Sequence, residues 1–145
     1  MIDFPQKITT FIQKHHVLTL ATSANNQAWC ANCFYAFDKK TQSLIFSSDT
    51  HTKHAQQALQ NSAVAASIVL ETKIVGKIQG LQCTGIMSLC EGNDAHEAQK
   101  IYLKKFPYAA LANTILWRLH MHYAKLTDNT LGFGTKLVWE RQINS

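Results

Sequence analysis

At 145 residues, 46% of them apolar, the chain is long enough to bury a core without disulfides or a structural metal, and one domain spanning residues 1–145 is the simplest organisation. Only 16% of its residues are charged, and the 14 basic residues behind the net charge of +5 are dispersed, the densest groups being Lys39-Lys40 and Lys104-Lys105; neither resembles a basic arm, which sets nucleic acid aside as a partner. No run reaches the ~18 apolar residues of a membrane span, and the charged N-terminus lacks a small-residue cleavage site, so a cytoplasmic protein with four free cysteines is expected.

Phe4, Ile8, Phe11 and Ile12 recur at helical spacing, with Asp3 placed to cap and Pro5 in the first turn, which predicts a helix over residues 4–15. Val17–Ser23 is rich in β-branched residues. The polar turn Ala24-Asn25-Asn26-Gln27 then joins it to a second strand, Ala28–Phe37, as a hairpin. Asp38–Gln42 turns the chain into Leu44–Ser48, an apolar run ending in the hydroxyl residues Ser47, Ser48, Thr50 and Thr52 and the cation Lys53. A helix follows over residues 52–59. A strand that ends in hydroxyls and feeds a helix N-terminus puts backbone N–H groups, side-chain donors and a positive dipole end in one place, the outline of a phosphate site.

Ala63–Leu70 reads as a strand buried on both faces, and Lys77–Glu91 as one long strand bent at Gly80 and Gly85. Asp94-x-x-Glu97 has the pattern of a capping box and predicts a helix to Phe106, where Pro107 stops it; one further turn is expected at Ala109–Asn113. Ile115–Leu126 and Leu137–Arg141 close the chain as strands joined by Thr127–Lys136. About seven hairpin-connected strands with three short helices make a mainly β (α+β) chain, and strands in that order close most easily into a small antiparallel barrel.

The cysteines and histidines carry little chemistry on this layout. Cys30 and Cys33 are three apart in a strand, so their thiols point to opposite faces and cannot share a metal; Cys83 and Cys90 meet the same objection. His120 and His122 share a strand face but have no third ligand nearby. His15-His16 stands at a helix end, where imidazolium suits the dipole. His51 and His54 flank Lys53 and could add to its anion site, although histidines on a helix surface are common. No nucleophile elbow, dinucleotide fingerprint or phosphate loop occurs.

Three segments carry a family likeness: WCANCFYAFD at Trp29–Asp38, THTKHA at Thr50–Ala55 and TDNTLGFGTKLVWER at Thr127–Arg141. Together they make the chain resemble the flavin-binding split barrels related to pyridoxamine-phosphate oxidase, in particular a small bacterial branch, over nearly its whole length. The resemblance implies a split antiparallel β-barrel and a homodimer holding flavin mononucleotide (FMN) in clefts at the subunit interface. It assigns the ring-lining strand to Cys30, Asn32, Cys33, Phe34 and Tyr35. Phe46-Ser47 matches the aromatic–hydroxyl pair ending the next strand, and Thr52-Lys53 the pair that grips phosphate. Gly80 or Gln82 corresponds to a contact from the long strand, and Thr127, Asn129 and Lys136 come from the partner subunit. Where the wider family has Ser-Arg-Lys at the phosphate, this chain has His51-Thr52-Lys53, one cation fewer. The basic residues that hold substrate phosphate in pyridoxamine-phosphate oxidases have no counterpart near the C-terminus. The implied activity is that of a small flavin-dependent oxidoreductase. The alternative is a non-enzymatic flavin or haem carrier or sensor, with His120 and His122 as candidate haem ligands.

Overall fold

The computed structural model describes residues 4–142. Helix α1 (Gln6–Lys14) buries Ile8, Phe11 and Ile12 on one face. The expected cap, Asp3, lies outside the described residues, and Pro5 takes the N-cap position. Strands β1 (Val17–Ala24) and β2 (Gln27–Asp38) form the expected hairpin. Its two turn residues, Asn25 and Asn26, have φ of 52° and 63°, the left-handed pair that a tight hairpin turn needs and asparagine tolerates. Strand β3 (Ser43–Ser47), helix α2 (Lys53–Gln60), strands β4 (Ala63–Val69) and β5 (Gln79–Leu89) and helix α3 (Gly92–Lys105) follow, then strands β6 (Leu116–Asp128) and β7 (Lys136–Glu140). Short 3-10 turns occupy Val75–Lys77, Pro107–Leu111 and Asn129–Leu131.

The antiparallel sheet runs β3-β2-β1-β4-β5-β6-β7, and β3 also pairs with β6, from Ser43↔His120 to Ser47↔Leu116, closing a barrel. One edge of β6 serves two strands: β3 along its first half and β7 along Tyr123–Thr127, while β5 runs along the other edge. The expected bend in β5 is real at Gly85. The register shifts between Thr84 and Gly85, and a Cβ at Gly85 would lie 1.9 Å from the His120 carbonyl oxygen. Only glycine fits so close a backbone approach.

Leu18, Leu20, Tyr35, Phe46, Leu81, Trp117, Leu119 and Met121 fill the barrel, and the Tyr35 hydroxyl donates to the Ile12 carbonyl at 2.6 Å, tying α1 across one end. Helix α3 covers the outside of β2 and β3 through a second apolar cluster that includes Ala36, Ile45, Ala98, Tyr102 and Leu116. No helix among the described residues is long and apolar enough to cross a membrane.

Two expectations fail here. Strand β4 alternates buried and open residues and is not covered on both faces, leaving Ala63, Ser67 and Val69 exposed. Asp94 and Glu97 form no capping box: α3 starts two residues earlier, Glu91 stands at its cap without a side-chain bond, and Glu97 pairs with Lys100. Asp94 instead accepts from Arg118 Nε at 2.8 Å, while Arg118 Nη1 donates to Asp38 at 2.8 Å. A guanidinium only 3% exposed needs carboxylates around it more than a solvent-facing helix end needs a cap.

Candidate functional site

The chain leaves the barrel at Ser47 and turns through Asp49–Thr52 into α2. Thr52 caps the helix: its hydroxyl accepts from the Ala55 amide at 3.2 Å and donates to the Asp49 carbonyl at 2.8 Å. The Lys53 and His54 amides, in the same first turn, have no intrahelical carbonyl to meet. Asp49 accepts from the His51 amide at 2.8 Å, which turns one carboxylate oxygen back into its own loop. Lys53 is exposed and its Nζ lies 4.4 Å from the centre of the Trp29 ring on β2. This cation–π contact holds the one lysine of the junction against Trp29, an exposed side chain at the start of β2 that alternation puts on the same strand face as Cys33 and Tyr35.

His54 is buried, which sets aside the helix-surface reading and leaves the one that adds it to the junction. Its Nε2 is hydrogen-bonded to Ser48 Oγ and lies 3.2 Å from Thr52 Oγ1. Burial lowers its pKa, so the ring is neutral at pH 7. Trp29 therefore joins the junction and His54 enters it from a buried position, beside Ser48, Thr52 and Lys53, which the sequence already put there. The sequence held one signal for them: Trp29 and His54 fall inside the two segments that carried the family likeness.

Along β2 the side chains alternate. Cys30, Asn32 and Phe34 face outward; Cys33 and Tyr35 point into the barrel, as does Phe46 of β3, and these three reach the outer face only through their backbones. Ser47 is half-buried and pairs with Leu116. Phe34 packs edge-on against Phe106, 5.7 Å between ring centres. Asn32 begins a polar row that crosses the sheet through Thr19, Ser67, Gln82 and Lys125, each paired with the next. Thr19 Oγ1 donates to Asn32 Oδ1 at 2.9 Å. An open depression of about 340 Å³ lies over this row, floored by small residues such as Ala21, Ala65 and Ser67. Asn32 and Gln82 thus share one face, three strands apart, roughly 14 Å at the usual strand spacing.

Thr127, Asn129 and Lys136 do not join Lys53 within one protomer. Thr127 pairs with Gly80 and Lys136, whereas the junction follows Ser47, which pairs with Leu116 at the start of β6, eleven residues or roughly 36 Å back along that strand. Asn129 ties two turns together: Nδ2 donates to the Val75 carbonyl in the turn before β5 at 2.8 Å, and Oδ1 accepts from the Gly134 amide of its own loop at 3.0 Å. Each amide atom keeps one further bonding position.

All four cysteines are free, Cys30 exposed and Cys33 buried on opposite faces of β2 as the spacing required. Burial pushes the Cys33 thiol up to about 11 and Cys83 and Cys90 to about 12, which makes them inert core groups. No group of three metal-ligating side chains occurs among the described residues. Burial, followed by Lys14, His16 and Lys105, lowers the His15 pKa, which works against the imidazolium expected at this helix end.

No family model matches the chain. A UPF0306 protein of Serratia proteamaculans is 41% identical over 136 residues, covering 94% of this chain and 94% of that protein. The chain belongs to the UPF0306 family. Three solved structures place that family on a known fold. A heme binding protein from Mycobacterium smegmatis matches 94% of this chain with a TM-score of 0.75 at 14% identity, and this chain spans 59% of that longer one. The FAD binding protein from Mycobacterium smegmatis has a TM-score of 0.69 at 14% identity, covering 85% of this chain and 93% of its own. A candidate pyridoxamine 5'-phosphate oxidase from Listeria innocua has a TM-score of 0.65 at 14% identity, covering 82% and 94%. This UPF0306 chain is therefore a split barrel of the pyridoxamine-phosphate-oxidase type, as the three sequence segments implied.

Proposed function

We propose that the protein is a homodimeric, single-domain FMN-binding split barrel that acts as a small flavin-dependent oxidoreductase. The observation that carries the reading is the junction itself. Lys53, the α2 amides and the Ser48 hydroxyl gather at the strand-to-helix junction, with Lys53 against Trp29 at the exposed start of β2. These groups suit a phosphate: an ammonium, two helix-terminal amides and a hydroxyl whose orientation His54 sets. With the His54 proton on Nε2, the ring donates to Ser48 Oγ and frees the hydroxyl hydrogen for an anion. Thr52, spent on capping, contributes position rather than charge.

Cys30, Asn32 and Phe34 then line the ring by their side chains, and Cys33, Tyr35, Phe46 and Ser47 by their backbones, with Gln82 on the same face. Thr127, Asn129 and Lys136 lie too far from Lys53 to serve the same cleft within one protomer, which favours their delivery by a second copy. The open, small-residue face of β1 and β4, bordered by exposed Phe34 and Val17, offers a flat surface for that copy. Bound FMN supplies hydride and single-electron chemistry; the chain's own residues bind, orient and neutralise the phosphate.

The visible spectrum of the purified protein, before and after adding FMN, tests this. Oxidised flavin bands that bleach with NADH or NADPH support the oxidoreductase; bands that persist leave a carrier. The heme binding structural neighbour, with His120 and His122 on the outer side of β6, favours haem as the second reading. A Soret band in place of flavin bands would establish it.

A further inference from the structure

The two densest basic groups of the sequence, 64 positions apart in the chain, come together in the fold. Lys39 and Lys40 lie in the turn after β2, Lys104 and Lys105 in the last turn of α3, and all four line one cavity of about 460 Å³ with Gln13 of α1. That volume is in the range of small-molecule sites. Phe37 and Ile101 give it an apolar wall.

The charges in this cavity have no counterion among the described residues. Its single carboxylate, Asp38, accepts from Arg118 Nη1 at 2.8 Å, from Thr41 Oγ1 at 2.9 Å and from the Lys40 amide at 3.1 Å. None of the four lysines makes an ion pair among the described residues. Lys105 is half-buried, its Nζ donating to the His15 carbonyl at 2.6 Å and lying 4.4 Å from the centre of the Tyr35 ring. Neutral partners hold it in place without cancelling its charge, and burial takes its pKa down to about 8. Four lysines gathered from two elements, with the one carboxylate already engaged, form a site for a compact polyanion, as monoanions use only one or two of them.

We propose that this cavity binds an oligophosphate chain, free or carried by a nucleotide, as a site separate from the flavin cleft. The proposal does not depend on the flavin reading, since no cavity residue belongs to the β3–α2 junction. The test is isothermal titration of the full-length protein with inorganic tripolyphosphate, ATP and adenosine at fixed ionic strength. Tripolyphosphate and ATP should bind and adenosine should not. ATP binding more tightly than tripolyphosphate would identify a nucleotide as the source, and equal affinities a free oligophosphate.

Lys40→Ala with Lys104→Ala should weaken tripolyphosphate at least tenfold; Lys105 is left in place because it ties α3 to α1. Lys73→Ala with Lys77→Ala removes the same charge from exposed positions outside the cavity and should change affinity less than twofold. Equal losses in the two double variants would overturn the proposal, because net charge alone would then explain binding. So would absence of tripolyphosphate binding, including the case where a 20-nucleotide single strand binds instead.

Discussion

Lys53 and His54 are neighbours with opposite roles, and each makes a prediction. Lys53 is exposed and, among the described residues, its ammonium meets only the Trp29 ring, so its charge is available to a ligand. Lys53→Ala should weaken FMN by roughly 10- to 100-fold, the size of one charge-assisted hydrogen bond. It should leave riboflavin, which lacks the phosphate, within about twofold by fluorescence titration. Equal losses for both would remove Lys53 from the phosphate. His54 is buried and neutral, with its folded pKa below the unfolded value of 6.5. As pH falls through 6.5 the unfolded chain takes up the proton first. The stability that neutral His54 contributes is complete above that pH and is lost as pH falls towards the folded pKa. His54→Gln should therefore flatten the pH dependence of unfolding between pH 7 and 5; His15 and His120, also lowered, keep some slope. An unchanged slope would contradict the buried, neutral assignment. Lys53 was legible in the sequence because a lone cation after a hydroxyl-rich strand end has few structural uses. His54 was not, since a helix of eight residues gives no phase until the strand it packs on is known.

At the scale of elements, alternation and turn chemistry located every strand and helix, and the errors lie where tertiary partners decide. Asn25-Asn26 could be read as a hairpin turn because the left-handed conformation is a local demand. Asp94 could not be read as an Arg118 partner, because the demand comes from a guanidinium 24 residues away. Strand β4 looked buried on both faces because Ala63, Ala65 and Ser67 are small, which fits a close-packed interior and an open flat face equally well. Gly85 marks the tightest constraint in the sheet: a methyl group there meets the His120 backbone, not a movable side chain. Gly85→Ala should cost about 1–3 kcal/mol or more, read by urea denaturation, whereas Gly76→Ala, with open space around it, should change stability by under about 1 kcal/mol. Similar values for the two would place the bend elsewhere.

At the scale of the molecule, the barrel leaves a candidate cleft half assembled. Lys53 stands beside the start of β2 and the Thr127–Lys136 segment at the far end of β6, and a second copy is the simplest way to bring them together. Sedimentation equilibrium should give a dimer at micromolar concentration, and Ala65→Arg, in the middle of the flat face, should shift it to monomer and weaken FMN at least tenfold; a monomeric parent protein would contradict this arrangement. The fold was legible because hairpin order and three family segments agree. The convergence of Lys39-Lys40 with Lys104-Lys105 was not, because composition counts charges without locating them. Titrating the purified protein with FMN and riboflavin side by side shows most directly whether the β3–α2 junction receives the phosphate of a flavin. FMN should bind at least tenfold more tightly than riboflavin, with its visible bands shifted on binding; equal affinities, or no binding of either, would contradict it.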